Sequence, residues 1–317
     1  MSDQGARVSR ERTEPQIIVE GGLYNALLDK KGWLQSYVKG AEEAAKAGYE
    51  ILKKNGTAVD AVEAAVRSME EKEYFNAGRG SFVNQDGNVE CDAMIMEGHS
   101  LDTGAVMAVR YFDHPVSLSR KILDDRQLGH CALSGEGALK YAREKGFPIL
   151  DPKKLIVPGE EDRIKVVYYK DCVPPSVDSV TAVALDCKGN LACAMSTGGT
   201  PGKYKGRVGD VPLIGCGGYA NKHGAVTACG HGESIIKTTL AKEVVNNIER
   251  GDNAMTAAES AIQKMKSANR GVEQFVGVIG IDEKGNIGIK TNVDHMPWAC
   301  VKNGEVKSGS VPKDDFN

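Results

Sequence analysis

No stretch of this chain approaches the roughly 18 to 20 consecutive apolar residues that a membrane-crossing helix needs. The opening residues, MSDQGARVSRERTEPQ, are polar and charged and lack the apolar centre of a secretory signal, which sets the expectation of a cytoplasmic protein without membrane contact. Basic charge is not in excess either: 40 Lys and Arg against 43 Asp and Glu give a formal net charge of -3. Aromatics make up only 6% of residues and do not interleave with a basic face, so nucleic acid is not expected as a partner. The eight cysteines form no CxxC pair, and most stand among small apolar residues, as free buried thiols do in a reducing compartment. With six dispersed histidines added, no metal centre is expected. The glycine clusters GRG, GCGG and GHG complete neither GxGxxG nor GxxxxGK(S/T), which leaves phosphate cradling without support.

What remains is a chain of 317 residues, 41% hydrophobic, able to bury a large core. Residues 1–15 read as a disordered tail ahead of a single domain over 16–317. QIIVEGG reads as a short buried strand running into glycines. YVKGAEEAAKAGYEILKKNG places Val38, Ala41, Ala45, Gly48 and Leu52 at helical spacing, and TAVDAVEAAVRSMEEKE follows as a second helix with Thr57 as its N-cap. GSFVNQDGNVECDAMIMEG predicts a hairpin around QDGN, TGAVMAVR a strand, and PVSLSRKILDD and SGEGALKYAREKG two helices. Between about 148 and 178 prolines and charges dissolve the pattern into a linker. Then come the hairpin SVDSVTAVALDCKGNLACAMSTGG, a Gly-rich loop, the helices ESIIKTTLAKEVVNNIERG and NAMTAAESAIQKMKSA, and the hairpin FVGVIGIDEKGNIGIKTN. Antiparallel hairpins between groups of helices predict an α+β protein with sheets covered by helix layers.

The hairpin at 176–199 sets Ser179 and Thr181 two residues apart on one strand face, directly after the linker. Thr is a good strand former, so strand decoration is the plain reading of these hydroxyls. Two features downstream point elsewhere. In GRVGD, Arg207 and Asp210 flank Val208 and Gly209, a spacing that suits a guanidinium gripping a carboxylate and a carboxylate gripping an ammonium, as an amino-acid zwitterion presents them. CGHGES runs into a helix whose first backbone N–H groups, near Gly230, His231 and Gly232, are placed for a carboxylate or a developing oxyanion.

Together these stretches resemble the plant-type asparaginases, also isoaspartyl aminopeptidases, among the N-terminal-nucleophile hydrolases. The resemblance runs in order through IIVEGG, NGTAVDAVEAAV, FNAGRGS, GNVECDAMIM, TGAVMAV, STGG, GRVGD, PLIGCGGYA, GHGES and MPWA. It implies a four-layer αββα sandwich made as one precursor that cuts itself, here between Asp178 and Ser179, into an α segment (16–178) and a β segment (179–317). It further implies Ser179 as nucleophile, Thr197 as supporting hydroxyl, Cys229 at the reacting carbonyl, Arg207 and Asp210 as substrate clamp, backbone donation at Gly230 and Gly232, and Asn76 and Thr181 beside the cleavage site. An aspartyl small molecule or short peptide as substrate, a homodimer, and a structural sodium on the loop near Phe75 complete what is implied, with no other cofactor.

The chain departs from that pattern at four places. The family's T-V-G is Ser179-Val180-Thr181, its Thr before GHG is Cys229, and its HGG is EGG, with Glu20 ahead of the glycines. Two readings of different class therefore stand side by side. One is an amidohydrolase acting on L-asparagine, isoaspartyl peptides or both after self-cleavage; the other is an uncut, catalytically impaired homologue that binds an aspartyl-type ligand or serves as a structural subunit.

Overall fold

The computed structural model describes residues 13–24, 33–125, 127–157, 176–177, 179–268 and 275–310. Among them are fourteen strands: β1 (Gln16–Glu20), β2 (Leu23–Tyr24), β3 (Cys91–Glu97), β4 (Thr103–Val109), β5 (Ala132–Ser134), β6 (Ser176–Val177), β7 (Val180–Leu185), β8 (Leu191–Thr197), β9 (Gly218–Ala220), β10 (Gly224–Gly230), β11 (Val276–Asp282), β12 (Ile287–Thr291), β13 (Pro297–Lys302) and β14 (Glu305–Ser310). The helices are α1 (Leu34–Lys53), α2 (Ala58–Glu70), α3 (Pro115–Asp124), α4 (Gly135–Glu144), α5 (Gly232–Thr238), α6 (Leu240–Glu249) and α7 (Ala254–Ala268).

Eight strands form one sheet in the order β14-β13-β1-β7-β8-β3-β4-β5, and four form a second, β12-β11-β10-β9. Alternation along each strand sends neighbouring side chains to opposite faces. Ile17 and Val19 of β1 accordingly enter a core shared with α1 and α2, whereas Ile18 enters the space between the sheets. Likewise Val180, Ala182 and Ala184 of β7 face the helices, and Val183 and Leu185 meet Ile279 and Ile281 of the other sheet. Val226 and Ala228 of β10 turn outward onto α6 and α7. Three stacked cores thus separate four layers, helix, sheet, sheet, helix, the αββα sandwich expected.

Local chemistry explains the elements. Thr57 caps α2 through a reciprocal capping box, its hydroxyl accepting from Asp60 N–H at 3.1 Å, an arrangement contributing about 1 kcal/mol. The small faces of α1 and α2 pack so closely that a Cβ on Gly48 would stand 2.7 Å from Ala61 O. Two elements differ from the sequence reading. QDGN turns back, but its flanks make one isolated bridge, Val83 to Val89, before β3 starts at Cys91. The expected single helix over 233–251 is two, because Thr239 adopts φ 46° and ψ 51°, a left-handed conformation that ends α5 and starts α6.

Of the expected tail, Thr13 already donates its N–H to Cys187 O at 3.2 Å. Of the expected linker, residues up to 157 are described: Pro152–Leu155 makes a 3-10 turn, and Leu155 is buried in the first core. Residues 158–175 and Asp178 lie outside the described residues.

Candidate active site

The register of the large sheet assembles the site. Val180 pairs with Ser196 and Thr181 with Met195, which sets Ser179 opposite Thr197 at the next step. Thr197 in turn pairs with Asp92 of β3. A row Ser179, Thr197, Asp92 therefore crosses three adjacent strands at one end of the sheet. Ser179 and Thr197 are buried to 6% and 4% exposure. From the facing sheet Cys229 meets this row: Ser179 N–H points at its sulfur at 3.5 Å, and its thiol faces Ser179 O at 3.9 Å. Ahead of Ser179, Val177 and Ser176 pair with Leu23 and Tyr24, so β6 holds the chain before Asp178 against β2.

Thr181 does more than fill its strand position. Its hydroxyl donates to Glu20 Oε2 at 3.3 Å and accepts from the Thr227 hydroxyl of β10 at 2.9 Å. Glu20 and Thr181, two of the four departures from the family pattern, are thus in contact with each other. Buried polar groups are tolerable when partnered in this way.

Asn76 latches the turn after β8. Its side chain donates to Gly199 O at 2.8 Å and accepts from Phe82 N–H at 2.8 Å, while its carbonyl accepts from Gly198 N–H at 2.8 Å. Thr197 Oγ1 accepts from Gly199 N–H at 3.0 Å, so Asn76 and Thr197 both grip Gly199.

The GRVGD loop, between β8 and β9, brings Arg207 and Asp210 to the same end. Asp210 is buried with Oδ2 lacking a hydrogen-bond partner among the described residues, and burial pushes its carboxyl up to about 7. Arg207 does not pair with it directly. Its Nε and Nη2 donate to Glu233 Oε1 at 3.2 and 2.9 Å, making Glu233 of α5 the ion partner. Burial opposes ionisation of Glu233, but the Arg207 charge and hydrogen bond outweigh it and hold that carboxyl below its usual range. Gly232 lies against both clamp residues: a Cβ there would stand 2.8 Å from Asp210 Oδ1 and 3.0 Å from Arg207 Nη2. Only glycine leaves that space unfilled. Gly230 ends β10, and His231 precedes α5, donating its N–H to Phe275 O and setting Nδ1 2.8 Å from Ser234 Oγ. Val208 is half-buried and Gly209 buried.

Sequence reasoning gave no role to Glu90, Asp92, Lys203 or Glu233. Asp92 carried a signal, a carboxylate inside the otherwise apolar CDAMIM strand. Gly209 N–H donates to its Oδ2 at 3.2 Å and Ala108 N–H to its Oδ1 at 2.8 Å. Burial raises this carboxyl, and the Lys203 charge counters it.

An αββα sandwich with a serine at the edge of a central strand and an Arg-Asp-Gly slot beside it defines the class, an N-terminal-nucleophile hydrolase. The chain belongs to the asparaginase family, whose model matches residues 13–310. It is similar to isoaspartyl peptidase/L-asparaginase from Rattus norvegicus, at 44% identity over 92% of this chain and 88% of the relative. The Bos taurus protein of the same name is 42% identical over 93% of this chain and 96% of its own. The plant-type L-asparaginase of Thermococcus kodakarensis is 39% identical over 91% and 96%.

Proposed function

We propose that this protein hydrolyses the side-chain amide of L-asparagine and the β-aspartyl bond of isoaspartyl peptides, using Ser179 freed by cleavage after Asp178. The observation that carries this reading is the convergence of Ser179, Thr197 and Cys229 beside a slot whose two charged ends, Arg207 and Asp210, match an amino-acid head group. The matched relatives are named for these two activities.

Once freed, the Ser179 α-amine, neutral in appreciable part near neutral pH, takes the proton of its own hydroxyl. The oxygen attacks the side-chain carbonyl, giving a tetrahedral oxyanion. Collapse releases ammonia or a peptide amine, protonated by the α-ammonium, and leaves an aspartyl ester on Ser179. Water, deprotonated by the same amine, clears the ester and releases aspartate. Arg207 binds the substrate α-carboxylate and Asp210, ionised, its α-ammonium. Cys229 donates only weakly compared with a hydroxyl, so N–H groups around Gly230 and Gly232 carry the oxyanion. Serine lacks the β-methyl that restricts χ1 in threonine, and a rotamer cost of about 1 kcal/mol slows turnover roughly five-fold.

A structural sodium on the Phe75 loop belongs to the same reading, held by backbone carbonyl oxygens, the ligands a hard cation takes. The sodium would brace the loop that carries Asn76. A cytoplasmic location and a dimer of cleaved segments belong to the same reading; no helix among the described residues is long and apolar enough to cross a membrane.

A denaturing gel tests cleavage: two bands are expected, and Ser179→Ala leaves one of 33.9 kDa. Product release from L-asparagine and a β-aspartyl dipeptide tests turnover. Cleaved protein that releases product from neither overturns the reading.

A further inference from the structure

We propose that Glu90 and Asp92 are positioning residues that aim Arg207 at the substrate carboxylate, by pinning the backbone on either side of it. The inference rests on the reading of Arg207 as that clamp. Glu90, just ahead of β3, and Asp92, within it, stand two apart in extended chain and share a face. Gly206 N–H donates to Glu90 Oε2 at 2.9 Å, and Gly209 N–H to Asp92 Oδ2 at 3.2 Å. Gly206 and Gly209 bracket Arg207 and Val208, so the two carboxylates hold the short arc of chain that presents the guanidinium.

The pins are themselves rigid. Asn84 donates to the same Glu90 Oε2 at 3.0 Å, and Ala108 N–H fixes the other oxygen of Asp92 at 2.8 Å. The buried Lys203 ammonium donates to Glu90 O at 2.7 Å, and Lys203 O accepts from Gln85 N–H at 3.0 Å, tying the loop's first half to the same turn. Between these ties the loop has little packing of its own, for Tyr204 is 75% exposed and Lys205 is also exposed. Gly206, at φ 79°, allows the sharp bend that brings its N–H onto Glu90. The guanidinium itself lies against Gly209, Gly232 and Glu233; the backbone arc that carries it is held by hydrogen bonds to the two carboxylates. Without them Arg207 follows Glu233, its ion partner on α5, and its distance to the Asp210 slot is no longer set.

The two carboxylates answer differently to amide substitution. In Glu90→Gln the single amide oxygen still accepts from both Asn84 and Gly206. In Asp92→Asn one oxygen cannot serve Ala108 and Gly209 on opposite sides, and the NH2 group opposes one of those donors.

The test compares Asp92→Asn, Glu90→Ala, Glu90→Gln and Arg207→Ala with the unmodified protein. It measures calorimetric binding of L-aspartate, kcat and KM for L-asparagine, the cleavage pattern on a denaturing gel and the thermal midpoint. Asp92→Asn and Glu90→Ala are expected to weaken L-aspartate binding and raise KM by about 10- to 100-fold, the scale of a displacement near 1 Å. They leave kcat at saturation and the cleavage pattern much less affected, and Glu90→Gln retains the original affinity. The positioning role is overturned if Glu90→Ala and Asp92→Asn bind L-aspartate normally while Arg207→Ala does not, or if they lose kcat at unchanged KM. It is also overturned if Glu90→Gln is as impaired as Glu90→Ala. If Asp92→Asn does not fold, the Glu90 pair decides the matter. Normal L-aspartate binding by Arg207→Ala overturns the clamp reading itself and this inference with it.

Discussion

Glu20, Thr181 and Thr227 make a buried chain of oxygens beneath Ser179, at 3.3 and 2.9 Å. A threonine at 181 reads from sequence as strand decoration where the family has glycine; in the folded protein its hydroxyl donates to the carboxylate at 20. The two residues lie opposite each other on neighbouring strands β1 and β7, a pairing that no local pattern reveals because 161 positions separate them. Their energetic coupling follows from the contact. Glu20→Gln, Thr181→Val and the double variant, compared by denaturant unfolding, should show a coupling of about 1 kcal/mol. A coupling indistinguishable from zero would mean that the contact contributes nothing. Of the candidate site, Ser179, Thr197, Arg207 and Asp210 were legible because each sits in a short stretch of distinctive composition. Glu90, Asp92 and Glu233 were not, since their partners are backbone amides or side chains brought near only by folding.

Elements were legible where one residue type settles the backbone. Asn84, Asp186 and Asp282 each accept from the N–H groups two and four residues on, at 2.9 to 3.0 Å, and each closes a turn written as x-x-Gly-Asn after the acceptor. Asp186 also accepts from Ala58 N–H at 3.3 Å, so the β7–β8 turn meets the start of α2. The hairpin of β13 and β14 is not legible in sequence because β14 is an edge strand, EVKSGS, with no buried alternation. The break between α5 and α6 is not legible either, because Thr239 has no helix-breaking character, and its left-handed conformation costs about 1 to 2 kcal/mol that packing on either side must offset. Thr239→Gly removes that cost while adding chain entropy to the unfolded state. The net expectation is unchanged or slightly higher stability in urea, by up to about 1 kcal/mol. A clear loss would show that the threonine side chain, and not the backbone bend, is what the site needs.

At the scale of the whole molecule, a burial cost is concentrated at the clamp. Asp210, pushed up to about 7 from 3.8 by burial, binds a proton more readily folded than unfolded. Its contribution to stability is therefore present in full below about pH 4 and is lost as pH rises through about 7. Asp210→Asn should flatten this part of the pH profile of the thermal midpoint and match or exceed the unmodified protein at pH 8, while abolishing L-aspartate binding. The same titration makes KM for L-asparagine fall as pH rises toward 7, since only the carboxylate holds the substrate ammonium. A variant less stable than the parent at pH 8 would count against burial as the cause. The site also belongs to neither sheet alone: Ser179 rides on the eight-stranded sheet, Cys229 on the four-stranded one, and the inter-sheet core, with Ile18, Val183, Met195, Ile279 and Ile281, sets the gap between them together with the Thr227–Thr181 hydrogen bond. The reaction centre is in that sense a feeler gauge for the spacing of the two sheets. Ile279→Val, well inside that core, would loosen the gap at a stability cost of about 1 kcal/mol, small enough for the site to register the change in a folded protein.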